Sequence, residues 1–272
     1  MSIEIRNLTH VYDAGTPGET KALDKIDLSI KKGGVFGLVG GIGSGKSTLA
    51  SLIAGLEKPT GGRITIEREP PCPGKNVGIL FQQPEDFFFE KTLFRDMACG
   101  LLHSGLTEDE VNERIHSTLD LVGLDRQILR HSPFHLNRGT LRLAAFASVL
   151  AMRPDVLILD EPTASLDPIS RKRLLEVIEN ISEDITVIFI SHRLQEVVAV
   201  SRYLAVLDQG KVAYTGTVPG YLDWAFRMGR EDYLPVLNQV MYGLLRLGFE
   251  VNPDVILRND AIEQIRRSLE KI

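Results

Sequence analysis

The chain has 272 residues, 43 % hydrophobic and 25 % charged, with a formal net charge of -5. That length and balance suit one large α/β domain with a small appendage and exclude a disordered or fibrous chain. The excess of acid argues against nucleic acid as a partner.

Cys72 and Cys99 lie in unrelated contexts without metal-ligand spacing, so a reducing compartment is expected rather than a disulfide framework. Met1 to Ile5 lacks a charged-then-apolar leader, and no apolar run approaches the ~20 residues that span a bilayer, so a soluble chain is expected. Ile3-Glu4-Ile5 and Ile26-Asp27-Leu28-Ser29-Ile30 alternate as half-buried strands do, and a Lys-Lys-Gly-Gly turn at 31–34 leads into a strand over Val35 to Val39. The segment after it, Gly40-Gly41-Ile42-Gly43-Ser44-Gly45-Lys46-Ser47-Thr48, has the pattern of a phosphate-binding loop. Its glycines let successive N–H groups face one concavity. Lys46 can reach the β- and γ-phosphates, and the Ser47 hydroxyl can ligate magnesium at the start of a helix running on through Leu49 to Leu56. Each part answers a feature of Mg-ATP.

Short strands are expected around 63–67 and 77–81. From Thr107 the period changes: Thr107 and Glu110 form a capping-box pattern, Val111, Ile115, Leu119 and Val122 share one helical face, and Gly123 suits the stop. A helical insert is therefore expected over about 88–152. The apolar runs 156–159 and 186–190, separated by a helix at about 170–181, have the βαβ character of a parallel sheet, which predicts a doubly wound α/β core. After Gly216 the pattern turns helical again. Val236, Leu237, Val240, Met241, Leu244 and Leu245 form one stripe, and Ile262, Ile265 and Leu269 a second. Residues 1–218 thus read as one domain and 219–272 as a small helical module.

Asp160-Glu161 closes the buried run 156–159, which places both carboxylates at the carboxyl end of a strand. There Asp160 can hold magnesium through water, and Glu161 can polarise the water that attacks the γ-phosphate. His192, just past the run 186–190 and Ser191, is placed to hydrogen-bond the γ-phosphate or that water.

With these parts in this order, residues 1–218 resemble the ATP-binding cassette (ABC) ATPases. The resemblance implies a phosphate-loop ATPase that uses ATP and Mg2+. Phe81-Gln82-Gln83-Pro84 resembles the family's Q-loop, with Gln82 as sensor of γ-phosphate and magnesium, and Ser165-Leu166-Asp167 resembles its D-loop. Tyr12 falls where such proteins offer a ring to the adenine. The departure is the signature segment: the family has Leu-Ser-Gly-Gly-Gln, this chain Leu136-Asn137-Arg138-Gly139-Thr140. In the family that helix start binds the γ-phosphate held by a partner's phosphate loop. Asn137 could still donate to a phosphate oxygen, but Arg138 puts a long cation where close approach wants glycine. The segment reads as a degenerate signature; tolerated variation and Arg138 as a phosphate ligand are the other readings.

Within the family, Gly15-Thr16-Pro17, Lys21-Ala22-Leu23, Phe81 to Asp86 and the tail with Asp232-Tyr233-Leu234-Pro235 and Asn252-Pro253 resemble the ATPase subunits of energy-coupling-factor importers. That likeness implies uptake of a vitamin or transition-metal ion and a peripheral position on the cytoplasmic face of the cell membrane. It also implies three partners: a second, non-identical ABC ATPase paired through 219–272, an integral membrane transport subunit, and a substrate-binding membrane protein. Phe87 to Phe89 would face the membrane subunit. Two alternatives are a cassette that binds ATP without hydrolysing it, and a soluble cassette of repair or translation. The first would need loss of Glu161 or His192, and the second a coiled-coil insertion or tandem cassettes; the sequence has neither feature.

Overall fold

The computed structural model describes residues 2–74, 76–83 and 88–270. The chain opens with β1 (Ser2–Tyr12), β2 (Thr20–Lys31), β3 (Gly34–Gly40), α1 (Lys46–Ile53), β4 (Gly61–Ile66) and β5 (Val77–Leu80). A helical insert follows: α2 (Leu93–His103), α3 (Glu108–Val122) and α4 (Arg138–Ala151), with 3-10 turns at Arg126–Arg130 and Pro133–His135. Then come β6 (Val156–Asp160), α5 (Pro168–Ile181), β7 (Thr186–Ile190), α6 (Leu194–Val200), β8 (Tyr203–Asp208) and β9 (Lys211–Thr217). The tail holds α7 (Val218–Arg227), α8 (Val236–Arg246) and α9 (Arg258–Leu269).

Local chemistry sets the helix ends. The Thr107 side chain accepts from Glu110 N–H while the Glu110 carboxylate accepts from Thr107 N–H, and Gly123 stops α3 at φ 77. The Asp167 carboxylate accepts from Ile169 and Ser170 N–H, and Pro168 starts α5.

Six strands form the main sheet in the order β5-β6-β7-β3-β8-β9, parallel except for β9. Because its strands are covered on both sides, alternate residues feed two cores. Val35, Val39, Leu157, Leu159, Val187, Phe189, Leu204 and Val206 face a layer built by α2 to α7. Phe36, Leu38, Val156, Ile158, Ile188, Ile190, Ala205 and Leu207 face α1 and a second, antiparallel sheet of order β2-β1-β4. Helices alone cover the first of these faces. On the other, α1 is sandwiched between two sheets, because the half-polar strands β1, β2 and β4 pair with one another and lay Ile3, Ile5, Leu28, Ile30, Ile64 and Ile66 inward.

The large core continues past residue 218. Tyr221, Leu222 and Ala225 of α7 belong to it, as do Tyr233, Leu234 and Tyr242, so α7 is a layer of the main domain. A separate small cluster of Met241, Val251, Val255 and Ala261 holds α8 and α9 together. Asn238, fully buried, ties the connecting loop by donating Nδ2 to the carbonyls of Pro253 (2.8 Å) and Val255 (3.0 Å).

Candidate active site

β3, β5, β6 and β7 run parallel, so the segments leaving their carboxyl ends converge along one edge of the sheet, where ligands bind in open α/β folds. Gly40 to Thr48 leaves β3 and becomes α1. At Gly45, with φ 101, an added Cβ would lie 2.7 Å from Ala22 O, so the loop can only be built with glycine there. Lys46 is buried, and Nζ donates to the carbonyls of Gly40 (2.9 Å) and Gly41 (2.8 Å) and lies 3.4 Å from Ser44 Oγ. Burial pulls its ammonium below the ordinary lysine range, opposed by the charges of Asp160 and Glu161. Gly41 and Gly43 have open space where a side chain would stand.

Across the sheet, the Ser47 hydroxyl donates to Asp160 Oδ2 at 3.0 Å. Burial pushes the Asp160 carboxyl above its usual range, against the opposing pull of Ser47 and Lys46. A hydroxyl and a partly dehydrated carboxylate side by side are hard oxygen donors, and Mg2+ takes one or two such protein ligands, completing its shell with phosphate and water. Among the described residues no cluster of three or more His, Cys, Asp or Glu offers a different metal site. The donors present fit magnesium.

Glu161 adopts φ 52, a left-handed conformation that costs a non-glycine residue about 1–3 kcal/mol. Its carboxylate accepts from His192 N–H (2.6 Å) and the Ser191 hydroxyl (3.1 Å), and its own N–H donates to Ile190 O (2.9 Å). His192 Nε2 lies 3.8 Å from Glu161 Oε1. The acid and the histidine are thus brought together from β6 and β7. Gln82 stands two residues beyond Leu80, whose partner is Leu159, so it lies level with Glu161. Its side chain is exposed. Pro84 to Phe87, the remainder of the expected loop, lie outside the described residues.

Tyr12, at the end of β1, reaches α1: Oη donates to Thr48 Oγ1 at 3.3 Å and lies 3.4 Å from Glu57 Oε1. His10 Nε2 lies 3.2 Å from the same Glu57 carboxylate, and its ring meets Tyr12 edge-on with centroids 4.6 Å apart. The Tyr12 ring is thus held by contacts to Thr48, Glu57 and His10.

At the signature segment, Asn137 Oδ1 accepts from Thr140 N–H (2.9 Å) and so caps α4. That bond occupies the side-chain oxygen, while the donation expected of Asn137 would come from its amide nitrogen. An added Cβ at Gly139 would lie 3.3 Å from Ser165 O of the D-loop, which accounts for the glycine retained there. Of the aromatic patch expected at 87–89, Phe87 lies outside the described residues, Phe88 is 5 % exposed and part of the large core, and Phe89, at 69 %, faces solvent. Burial of the Phe88 ring removes its apolar surface from water, which favours the inward position. In the tail stripe, Met241 is buried inside its own module and Leu237 and Leu244 pack against that cluster, while Val236, Val240 and Leu245 are exposed. Ile262 and Leu269 of α9 are exposed too, and with Ile265 and Arg266 line a groove of about 440 Å³. No helix among the described residues is long and apolar enough to cross a membrane.

Sequence reasoning missed four residues that organise this edge: Arg142, Ser191, Glu57 and Glu196. Glu196 accepts from the Thr163 hydroxyl (2.6 Å), and burial raises its carboxyl. A signal existed for Arg142, a lone cation in the run Leu141 to Val149. The carboxylates carried none.

A family model described as ABC transporter matches residues 23–164, and an AAA domain model matches 131–198. The chain is 37 % identical over 282 residues to the energy-coupling factor transporter ATP-binding protein EcfA2 of Acetivibrio thermocellus, covering all of both chains. It resembles the solved structure of cbiO1 from Clostridium perfringens, part of the ABC transporter complex cbiONQ, at 29 % identity and TM-score 0.71, over 90 % of this chain and 96 % of that one. The ATP-binding cassette MJ0796, solved as a dimer in a post-hydrolysis state with ADP and Pi, shares the fold at TM-score 0.74 and 24 % identity, over 79 % of this chain and 98 % of that one.

Proposed function

The chain belongs to the ABC transporter family of ATPases, and from that premise we infer that it is the ATP-hydrolysing subunit of an energy-coupling-factor importer for a vitamin or transition-metal ion. The observation that carries the ATPase reading is the convergence at one sheet edge of Lys46, the Ser47–Asp160 pair and the Glu161–His192 pair. Full-length likeness to energy-coupling-factor ATP-binding proteins supports the transport reading.

In this reading Lys46, Ser44, Thr48 and the N–H groups of Gly40 to Gly45 bind the phosphates, and Tyr12 lies on the adenine. Ser47, Asp160 and Gln82 would hold magnesium, which when bound neutralises charge on the β- and γ-phosphate oxygens. Glu161 orients the attacking water and takes its proton, and His192 donates a hydrogen bond to the γ-phosphate as its negative charge redistributes. The two are already linked, since the His192 N–H donates to the Glu161 carboxylate.

The signature segment of each cassette serves the site of the other, so the altered start of α4 favours a partner that is not identical. Paired with a cassette bearing an intact signature, this chain's Lys46, Asp160, Glu161 and His192 form the productive site, and the reciprocal site mainly holds ATP. Exposed Val236, Val240, Ile262 and Leu269 supply the apolar surface for that pairing. An integral transport subunit and a substrate-binding membrane protein complete the complex, with this chain peripheral on the cytoplasmic face. Co-purification from detergent-solubilised membranes tests the assembly, and ATP-driven uptake by the reconstituted complex tests the activity. Lys46→Ala is expected to abolish uptake; near-normal uptake by that variant would refute the phosphate-loop assignment.

A further inference from the structure

Arg142 is 4 % exposed on α4, among the buried Leu141, Leu143, Ala144, Ala145 and Phe146. A guanidinium in such surroundings is costly unless it is well hydrogen-bonded, so the bonds it makes locate its role. Nη1 donates to the carbonyl of Glu161 at 2.7 Å, and Nη2 donates to the carbonyl of Gln82 at 2.6 Å. The two acceptors leave adjacent strands, β6 and β5, one beside the proposed base and the other at the proposed γ-phosphate sensor. A planar fork with two donors at fixed spacing sets the separation of two carbonyls; a lysine ammonium cannot.

We propose that Arg142 is a positioning residue for ATP hydrolysis, holding the Glu161 and Gln82 peptides at a fixed separation against α4. The inference rests on Glu161 being the base. The peptide it grips is the one that most needs holding: Glu161 sits at φ 52, and its carbonyl also accepts from Ala164 N–H at 3.2 Å. The ties on the Glu161 carboxylate come from Ser191 and His192 after β7, so they fix the side chain from one direction. Arg142 adds a tie from α4 and extends it to Gln82. The helix is seated closely enough to serve as an anchor, since a Cβ added at Gly78 of β5 would lie 2.6 Å from Val149 Cγ1. Arg142 touches backbone, so its removal should disturb geometry while leaving the phosphate loop intact.

The test compares Arg142→Gln, Arg142→Lys and Glu161→Gln in the full chain paired with its partner cassette, with nucleotide affinity and melting temperature measured beside steady-state kinetics. Arg142→Gln is expected to lower kcat roughly 30-fold while KM and ATP affinity stay within about twofold of the parent, because a shift of the base costs rate rather than binding. Half-saturating magnesium should rise several-fold in the same variant through Gln82. Arg142→Lys should recover part of the loss, to roughly fivefold below the parent, since one donor point replaces two. If Arg142→Gln does not fold, the lysine variant decides alone. Parental kcat in the folded Arg142 variants, with Glu161→Gln inactive, would overturn the inference and leave the ATPase reading standing. Turnover retained by Glu161→Gln would instead remove the base on which the inference rests.

Discussion

The two surfaces of this cassette that are proposed to meet nucleotide are built in opposite ways. The phosphate loop is made of backbone: glycines whose side-chain space is filled or left open, a buried lysine folded onto two carbonyls, and a serine joined to Asp160 from the far side of β7. The start of α4 is made of side chains. Asn137 spends its carbonyl on capping the helix, and Arg138 stands exposed where the family has glycine. The contrast teaches that a loop built from backbone leaves little room for substitution, whereas a surface built from exposed side chains can change while the fold stays intact.

The sharpest way to break that comparison is to mutate the proposed base on each side of the pair. Glu161→Gln here should cut turnover of the paired cassettes on the order of 1000-fold with ATP binding intact, as loss of general-base catalysis does. The same change at the partner's equivalent acid should cost only a few-fold. Steady-state hydrolysis of both single variants measures this, and equal losses, or a larger loss from the partner's change, would refute the asymmetry.

Repairing the weaker surface should have a smaller effect of opposite sign. Asn137→Ser combined with Arg138→Gly is expected to raise hydrolysis by this chain alone about tenfold, because a hydroxyl and close-approaching N–H groups at a helix start bind a phosphate well. Serine can still cap α4. An unchanged rate would mean that the natural segment already works.

Pairing through the tail should respond to a similar extent. Removing everything after residue 218 would strip Tyr221, Leu222 and Ala225 from the large core and confuse pairing with folding. Val240→Asp with Leu269→Asp alters only exposed positions, and should weaken nucleotide-independent association with the partner cassette by roughly tenfold at an unchanged melting temperature. Size-exclusion of the mixed chains reads the result. Association as tight as the parent's would make the tail a capping element.

The smallest effect concerns the cost of keeping charge at the site. Burial raises the folded-state pKa of Asp160, so the folded chain holds that proton more tightly than the unfolded one. Stability is accordingly lost as pH rises from the unfolded carboxyl value through the folded one, and the penalty is fully present above it. Asp160→Asn, assayed without nucleotide, should melt about 3 °C higher at pH 7, a gain that vanishes as pH falls through the carboxylate range. Mg-ATP should stabilise the parent and leave the variant little changed. A lower melting temperature for the variant at pH 7 would show that the Ser47–Asp160 contact is a structural support.

The sequence by itself determined the parts whose chemistry depends on neighbours in the chain. Gly40 to Thr48, the Asp160-Glu161 pair, the cap at Thr107 and the apolar runs of β3, β6 and β7 are local patterns, and each became the element it predicted. Only the tertiary structure decided what depends on distance. The pairing of β1, β2 and β4 into a second sheet was not legible because alternation says that a strand has one dry face and not what will cover it. The same limit hid α7, whose apolar stripe suits a separate module as well as a core layer, and Phe88, which burial drew inward from an aromatic run. Arg142 showed the same limit at the active site. Its place among leucines and alanines marked it as a charge needing partners, but Gln82 and Glu161 lie 60 and 19 residues away, and only the adjacency of β5 and β6 makes them reachable by one guanidinium.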